Sequence, residues 1–221
     1  MMVKYTSTEE NYLKAIYQLQ VIDSNVSTND IAKHLHTKAA TVTDMIKKLK
    51  QKKLIEYKPY YGVHLTSLGL KQALTIIRKH RLWEYFLFNK LNFNWEDVHE
   101  VAEELEHISS TKLIDKLDQY LGNPKYDPHG DPIPNKNGLM PQTQHVNLAQ
   151  IPLHKKATLS LVNSQHKQLL HLLKQKNIIL GATLSVVNKI EFDNSIEVKI
   201  NRQAPINISH KMAETLFVTL N

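Results

Sequence analysis

Four prolines, Pro124, Pro128, Pro132 and Pro134, fall within eleven residues of this chain. Proline lacks a backbone N–H and clashes with the preceding turn, so neither a helix nor a central strand can run through that stretch. The surrounding segment, 122–147, reads as a linker. It divides two styles of sequence. Before it, apolar residues recur at helical spacing; after it, they recur as short strand-like runs. No cysteine occurs among the 221 residues. Disulfide scaffolds, iron–sulfur clusters, cysteine-based zinc sites and thiol nucleophiles are thereby excluded. Hydrophobic residues make up 42% of the chain, enough for a packed core. No apolar run approaches the roughly 18 residues of a membrane helix. Met1 to Thr6 has no apolar h-region of a secretory signal. A cytoplasmic protein with no membrane partner is expected.

Charge is unevenly distributed. Residues 1–75 carry 11 lysines and 6 acids, a net +5. Residues 76–142 carry 8 basic and 11 acidic groups, a net −3. Residues 143–221 carry 9 basic and 4 acidic groups, again +5. A basic head attracts polyanions, whereas carboxylates mixed with imidazoles attract divalent cations. Two kinds of partner are implied, one for each part. The three segments are taken as three domains.

The head is read first. Ser7-Thr8-Glu9-Glu10 offers a capping box, and Tyr12, Ile16 and Leu19 follow at helical spacing. Ser27 to Asp30 opens a short second helix through Ile31, Ala32 and Leu35. A third helix places Val42, Met45, Ile46 and Leu49 on one stripe. Leu54 to Tyr57 and Val63 to Thr66 read as two strands joined at Tyr60-Tyr61-Gly62. Helix, turn, helix and hairpin make a winged helix-turn-helix, whose third helix enters the major groove. Its outer face carries Lys38, Ala40, Thr41, Thr43 and Asp44, small or polar residues that allow close approach to base edges. Thr28, Lys47, Lys48 and Tyr60 are placed to touch phosphates. Double-stranded DNA is the expected partner.

In the middle segment, Thr66 or Ser67 caps a long helix with Leu70, Leu74, Ile77, Leu82 and Phe86 as its core stripe. His80 and Glu84, four residues apart, share a face. The next helix starts at Asn94, with Val98, Val101, Leu105 and Ile108 as its apolar side. His99, Glu103, Glu106 and His107 then span about 100° of arc on the other side. Imidazole with carboxylate suits Mn(II), Fe(II) and Zn(II). Trp83, Phe86, Leu87 and Phe88 are read as core or dimer interface. The same donors would support metal-assisted hydrolysis. However, the chain has no His-Glu-x-x-His, no Gly-rich phosphate loop and no Gly-x-Ser-x-Gly, so an enzyme is not expected. A regulator that ignores metal and a metal-dependent hydrolase are the rival readings.

Taken together, these residues resemble the diphtheria-toxin-repressor family of metal-dependent transcriptional repressors, including its manganese-responsive branch. Thr8-Glu9-Glu10-Asn11-Tyr12-Leu13-Lys14-Ala15-Ile16-Tyr17 is similar to the family's first helix. Arg78 to Glu84 and Val98 to His107 resemble its two ligand helices, and His129-Gly130-Asp131-Pro132-Ile133-Pro134 the segment closing its dimerisation domain. The resemblance implies two metal sites. Asn11, Glu103, Glu106 and His107 match the primary one, and His80, Glu84 and His99 the ancillary one. Glu103 stands where iron-responsive members carry cysteine, which makes the donor set harder and favours Mn(II), with Fe(II) as the alternative. Lys14 falls where the manganese branch has a glutamate ligand. The resemblance further implies a homodimer on an inverted-repeat operator, controlling metal-uptake genes.

After the linker, Ala157 to Val162 reads as a strand and Gln165 to Gln175 as a helix. Leu184 to Val187 reads as a further strand. Asp193-Asn194 is read as the turn joining Ile190–Phe192 to Ile196–Ile200. Ile206–Ile208 and Leu216–Leu220 complete a small barrel. It resembles the SH3-like third domain that longer family members share with ferrous-transport accessory proteins. Such a domain can lend a metal ligand, for which His166 is the candidate. The fold class expected is mainly α with a small β part: a winged head over 1–75, a helical dimerisation domain over 76–142 and an SH3-like barrel over 143–221.

Overall fold

The computed structural model describes residues 5–58 and 61–220. Two compact units account for them. The first holds the residues up to His80 together with Leu105–Thr111 and Pro134–Leu139; the second holds Arg81–Glu104, Lys112–Ile133 and the chain from Met140 onward.

The first unit contains α1 (Ser7–Ile22), α2 (Thr28–His34), α3 (Ala39–Gln51), β1 (Ile55–Lys58), β2 (Gly62–Leu65) and the first part of α4 (Ser67–Leu91). Two capping boxes set the starts of α1 and α2. The Thr6 hydroxyl accepts from the Glu9 N–H while the Glu9 carboxylate accepts from the Thr6 N–H, one residue earlier than the sequence had placed the box. Ser27 and Asp30 repeat the arrangement. The core is built from Leu13 and Ile16 of α1, Ile31 of α2, and Val42, Ile46 and Leu49 of α3. Leu54, Ile55 and Val63 of the hairpin close it, with Ile76 of α4. The antiparallel β1–β2 pair gains a further rung where the Val63 N–H reaches the Val26 carbonyl at 2.9 Å. Gly62, at φ +79°, makes room for it, since a Cβ there would lie 2.5 Å from the Val26 oxygen.

The Thr66 hydroxyl caps α4 through the Gly69 N–H. Of the expected stripe, Ile77 and Leu82 are buried and Leu74 and Phe86 half-buried, but Leu70 is exposed, and the covered residues also include Ala73, Ile76, Arg78, Lys79, His80 and Glu84. Burial of so many ionisable groups requires partners, which are described below.

The second unit continues α4 into α5 (Val98–Leu105) and α6 (Thr111–Tyr120). The helix expected to reach Ile108 ends at Leu105, so Glu106 and His107 lie in the turn after it and leave the face shared by His99 and Glu103. The rest of this unit is β3 (Val146–Asn147), a 3-10 turn, β4 (Ala157–Val162), α7 (Lys167–Gln175), β5 (Thr183–Lys189), β6 (Ile196–Ile200), β7 (Ile206–Ile208), α8 (His210–Ala213) and β8 (Leu216–Leu220). The strands form one antiparallel sheet in the order β3-β8-β4-β5-β6-β7, the SH3-like barrel. Leu159, Leu173, Leu184, Val198 and Leu216 fill it, and Trp95, from the loop before α5, enters the same core. Ile190–Phe192 is not a strand. β5 runs to Lys189 opposite Ile196, and residues 190–195 form the turn, with Asn194 at φ +57° and the Asp193 carboxylate accepting from the Ser195 N–H.

The proline segment does exclude regular structure, yet Asp127 to Gly130 and Ile133 are buried rather than free in solvent. One Asp127 oxygen accepts from the His129 and Asp131 N–H groups at 2.8 and 3.0 Å. The Val162 N–H donates to the His129 carbonyl at 2.9 Å, tying this turn to β4. Gly130 has φ +92°, and a Cβ there would lie 2.1 Å from the Ser160 carbonyl oxygen. Among the described residues no helix is long and apolar enough to cross a membrane. Gly130→Ala is expected to cost at least about 2 kcal/mol, from its left-handed backbone and the forced separation from β4. Chemical denaturation of the variant against wild type checks this.

Candidate functional site

The outward face of α3 is as the sequence suggests. Lys38, Ala40, Thr41, Thr43, Asp44, Lys47 and Lys48 are exposed, while Val42, Ile46 and Leu49 point into the core. No side chain caps the start of α3. The Thr43 hydroxyl donates to the Ala39 carbonyl at 3.0 Å, and Asp44 pairs with Lys47 at 3.3 Å. Thr28 opens α2 and is half-buried; Tyr60 lies outside the described residues. Lys50, Lys53 and Lys58 extend the basic surface, whereas Lys52 turns inward to Glu9 at 2.5 Å.

Behind that head, within the same unit, lies a buried polar cluster. Helix α1 presents Glu10, Asn11 and Lys14, α4 presents Lys79 and His80, and the turn after α5 presents Glu106 and His107. Glu106 is wholly buried. The Lys14 ammonium lies 2.7 and 2.8 Å from its two oxygens, and His80 Nδ1 is 2.7 Å from Oε2. Burial alone would raise the Glu106 pKa, but hydrogen bonding to His80 and the charge of Lys14 hold it below the ordinary glutamate value. His107 Nδ1 meets Glu10 at 2.6 Å, and Lys79 lies 3.8 Å from Glu10. The side-chain oxygen of Asn11, one residue after Glu10 on α1, is buried and has no hydrogen-bond partner among the described residues. An orphaned amide oxygen on the helix that also meets Glu106 and His107 is a hard donor of the kind that fits a divalent cation.

The second unit holds another cluster. His99 Nδ1 lies 3.2 Å from Glu84, and His99 Nε2 lies 3.5 Å from Glu103. Glu84, Asp127 and His129 each turn a ligand atom into one space, all within 4.8 Å of one another, and all three are buried. His129 Nε2 meets the Trp95 carbonyl at 3.2 Å, and the two rings stack at 5.5 Å. That contact assigns the proton to Nε2, so the buried, unpartnered Nδ1 keeps a free lone pair. Arg81 braces the rim: it donates to Asp131 at 3.0 Å and to the Pro132 carbonyl, and lies 3.8 Å from Asp127.

Glu84 and His99 are together, joined by Asp127 and His129, which sequence reasoning had left in a linker. His80 contacts Glu106 in the first unit, and Glu103 contacts His99 in the second. His166 is exposed just before α7, where its N–H donates to the Ser164 hydroxyl and its carbonyl accepts from the Leu169 and Leu170 N–H groups. The missed pair carried one readable signal: an aspartate and a histidine two residues apart in a proline-fixed turn. Trp83 and Leu87 are core, while Phe88 is exposed.

Burial, then the neighbouring Asp131 and Glu84 carboxylates, push the Asp127 pKa well above the ordinary aspartate value, against the pull of Arg81. A raised carboxyl pKa means that ionisation is disfavoured in the fold, so stability declines as pH rises above the unfolded value near 3.8. Asp127→Asn keeps the acceptor oxygen of the turn and removes this cost. The metal-free variant should therefore melt higher than wild type at neutral pH, and the gain should vanish below about pH 4, where both side chains are neutral. Thermal melts in chelator across pH 3.5–7.5 check this.

Three family models match consecutive parts of the chain. They are the iron-dependent repressor N-terminal DNA-binding domain over residues 4–63, its metal-binding and dimerisation domain over 66–135, and the FeoA domain over 146–220. A stretch of 72 residues, 33% of the chain, is 46% identical to 16% of a probable metal transport system membrane protein of Chlamydia trachomatis. Over 127 residues, 58% of the chain, it is 32% identical to 55% of the iron-dependent repressor IdeR of Mycobacterium leprae. The chain thus spans between one sixth and about half of the length of these curated relatives. A solved manganese-dependent transcriptional repressor in complex with manganese superposes with a TM-score of 0.88 at 32% identity, over 96% of this chain and 100% of that one. With its winged head, its two carboxylate–imidazole clusters and its SH3-like barrel, the chain belongs to the iron-dependent (diphtheria-toxin) repressor family of metal-dependent transcriptional repressors.

Proposed function

We propose that this protein is a divalent-metal-activated repressor that binds operator DNA as a homodimer and controls manganese or iron uptake. The observation that carries the reading is Asn11. It belongs to the first helix of the reading head, between Glu10, which meets His107, and Lys14, which meets Glu106, and its buried oxygen has no hydrogen-bond partner among the described residues. Asn11, Glu106 and His107 are the proposed ligands of the first site. Glu84, Asp127 and His129 are those of the second, with His99 and Glu103 adjoining. Glu103 is thereby moved from the first set to the second cluster. Every donor is a carboxylate, an imidazole or an amide, and the chain has no cysteine, which favours Mn(II), with Fe(II) as the alternative. A bound ion would supply a divalent positive charge to these donors, which the second cluster in particular is short of. The protein's part is to position them: α1 holds Asn11, and the turn after α5 holds Glu106 and His107. Orientation of the head and occupancy of the site are then linked, so metal and DNA each raise affinity for the other.

On DNA, Lys38, Ala40, Thr41, Thr43 and Asp44 are proposed to face base edges, and Thr28, Lys47, Lys48 and Tyr60 to face phosphates. The uncapped N–H groups at the start of α3 suit the same anions. A two-fold dimer implies an inverted-repeat operator. Phe88, Leu91, Leu113 and Tyr120 are exposed apolar or aromatic residues suited to the dimer contact.

Selection from a random duplex pool, with Mn(II) and separately with chelator, tests the reading. An inverted repeat should be enriched with metal alone. Enrichment in both conditions would make the protein a metal-independent regulator. Asn11→Ala gives a sharper check. The metal-free melting temperature should be unchanged or higher, since the orphan oxygen has no hydrogen bond to lose. Mn(II) affinity, measured by calorimetry, should fall by at least about tenfold.

A further inference from the structure

Glu106 already has a cation. Both of its oxygens are engaged by Lys14, at 2.7 and 2.8 Å, and Oε2 is also met by His80. Lys14 is itself buried and comes from α1, one helical turn after Asn11 and on the same side. An ammonium taken out of water needs a countercharge, and Glu106 supplies it. Two carboxylates, Glu10 and Glu106, face two ammoniums, Lys79 and Lys14, so the cluster is balanced before any metal arrives. A balanced cluster has little electrostatic pull on a divalent cation. A carboxylate whose oxygens both hold an ammonium can take an ion only if that ammonium moves.

Lysine is suited to such a move. Its charge sits at the end of a flexible four-carbon stem, with no fixed fork geometry to break. Withdrawal would free Oε1 of Glu106 and leave only His80 on Oε2, while the backbone of α1 stays in place and Asn11 remains available. Glu9 and Lys52 show the opposite case nearby: their pair lies at the edge of the head and joins α3's end to the α1 cap, away from the donor atoms.

Resting on the metal reading above, we propose that Lys14 is a built-in competitor for the first site: a resident cation that a divalent ion must displace from Glu106. It thereby sets the metal concentration at which the protein responds. The device also explains how Glu106 can be fully buried without metal, since Lys14 keeps the site closed until exchange occurs.

The test is calorimetric titration of the full-length protein with Mn(II), in an Asp127→Asn/His129→Ala background that takes one ligand charge and one imidazole from the second site. Lys14→Met removes the charge and keeps the length. Lys14→Gln removes the charge and keeps a donor toward Glu106, so one variant remains if the other does not fold. Lys14→Arg keeps the charge. Both neutral variants should bind Mn(II) at least tenfold more tightly than the parent, with the same stoichiometry, and Lys14→Arg should stay nearer the parent. Neutral variants that melt cooperatively yet bind no more tightly would overturn the competitor role while leaving the metal reading intact. A parent that binds no Mn(II) at this site would overturn the metal reading, and the inference with it.

Discussion

A carboxylate with no exposed surface stands at the centre of this molecule's first unit. Burying the charge of Glu106 is unfavourable unless opposite charge and hydrogen bonds surround it. Lys14 from α1 and His80 from α4 provide both, and Glu10 and Lys79 bring His107 into the same network. Much else follows from that requirement. α1 must carry polar residues on a face that a simple core helix would fill with apolar ones. α4 must bury Arg78, Lys79 and His80 beside Ile76 and Ile77. The reading head is therefore joined to its neighbours by ionic contacts, which respond to added cations as apolar packing does not.

The second unit meets the same problem differently. Asp127 and Glu84 are buried close together, with Arg81 as the nearby cation at the rim rather than an ammonium between them. The result is a carboxyl group whose charge the fold disfavours, set beside an imidazole with an open lone pair. One cluster is neutralised in advance and the other is short of positive charge. Two such sites within one chain need not fill at the same metal concentration.

The barrel contributes to the second cluster without lending a side chain to it. Trp95 is part of the barrel core, and its carbonyl receives His129 Nε2. β4 receives the His129 backbone, and Gly130 lets the two chains approach. A domain that reads as a separate module in sequence thus packs around the residue that sets the tautomer of a candidate ligand and holds that ligand's backbone.

Much was settled by local sequence. The capped helices of the head, the basic outer face of α3, the hairpin wing and most strands of the barrel follow from periodicity, turn residues and caps, all of which act within a few residues. So do the residue types suited to a divalent cation, whereas Asn11 came only from the resemblance of the first helix to a known family. Which of these groups meet in space is not legible from local pattern. A helical wheel placed Glu106 and His107 on the face of His99 and Glu103, but α5 stops at Leu105. The stripe expected of α4 was drawn from its apolar residues, whereas its buried face includes charged ones whose partners lie elsewhere in the chain. Asp127 and His129 read as linker because prolines forbid regular structure there, and nothing local shows that an irregular segment is buried. Lys14 on Glu106, 92 residues apart, is the plainest case. Sequence fixes which groups can bear charge and which backbone shapes are allowed; only the fold decides which charges are brought out of water together.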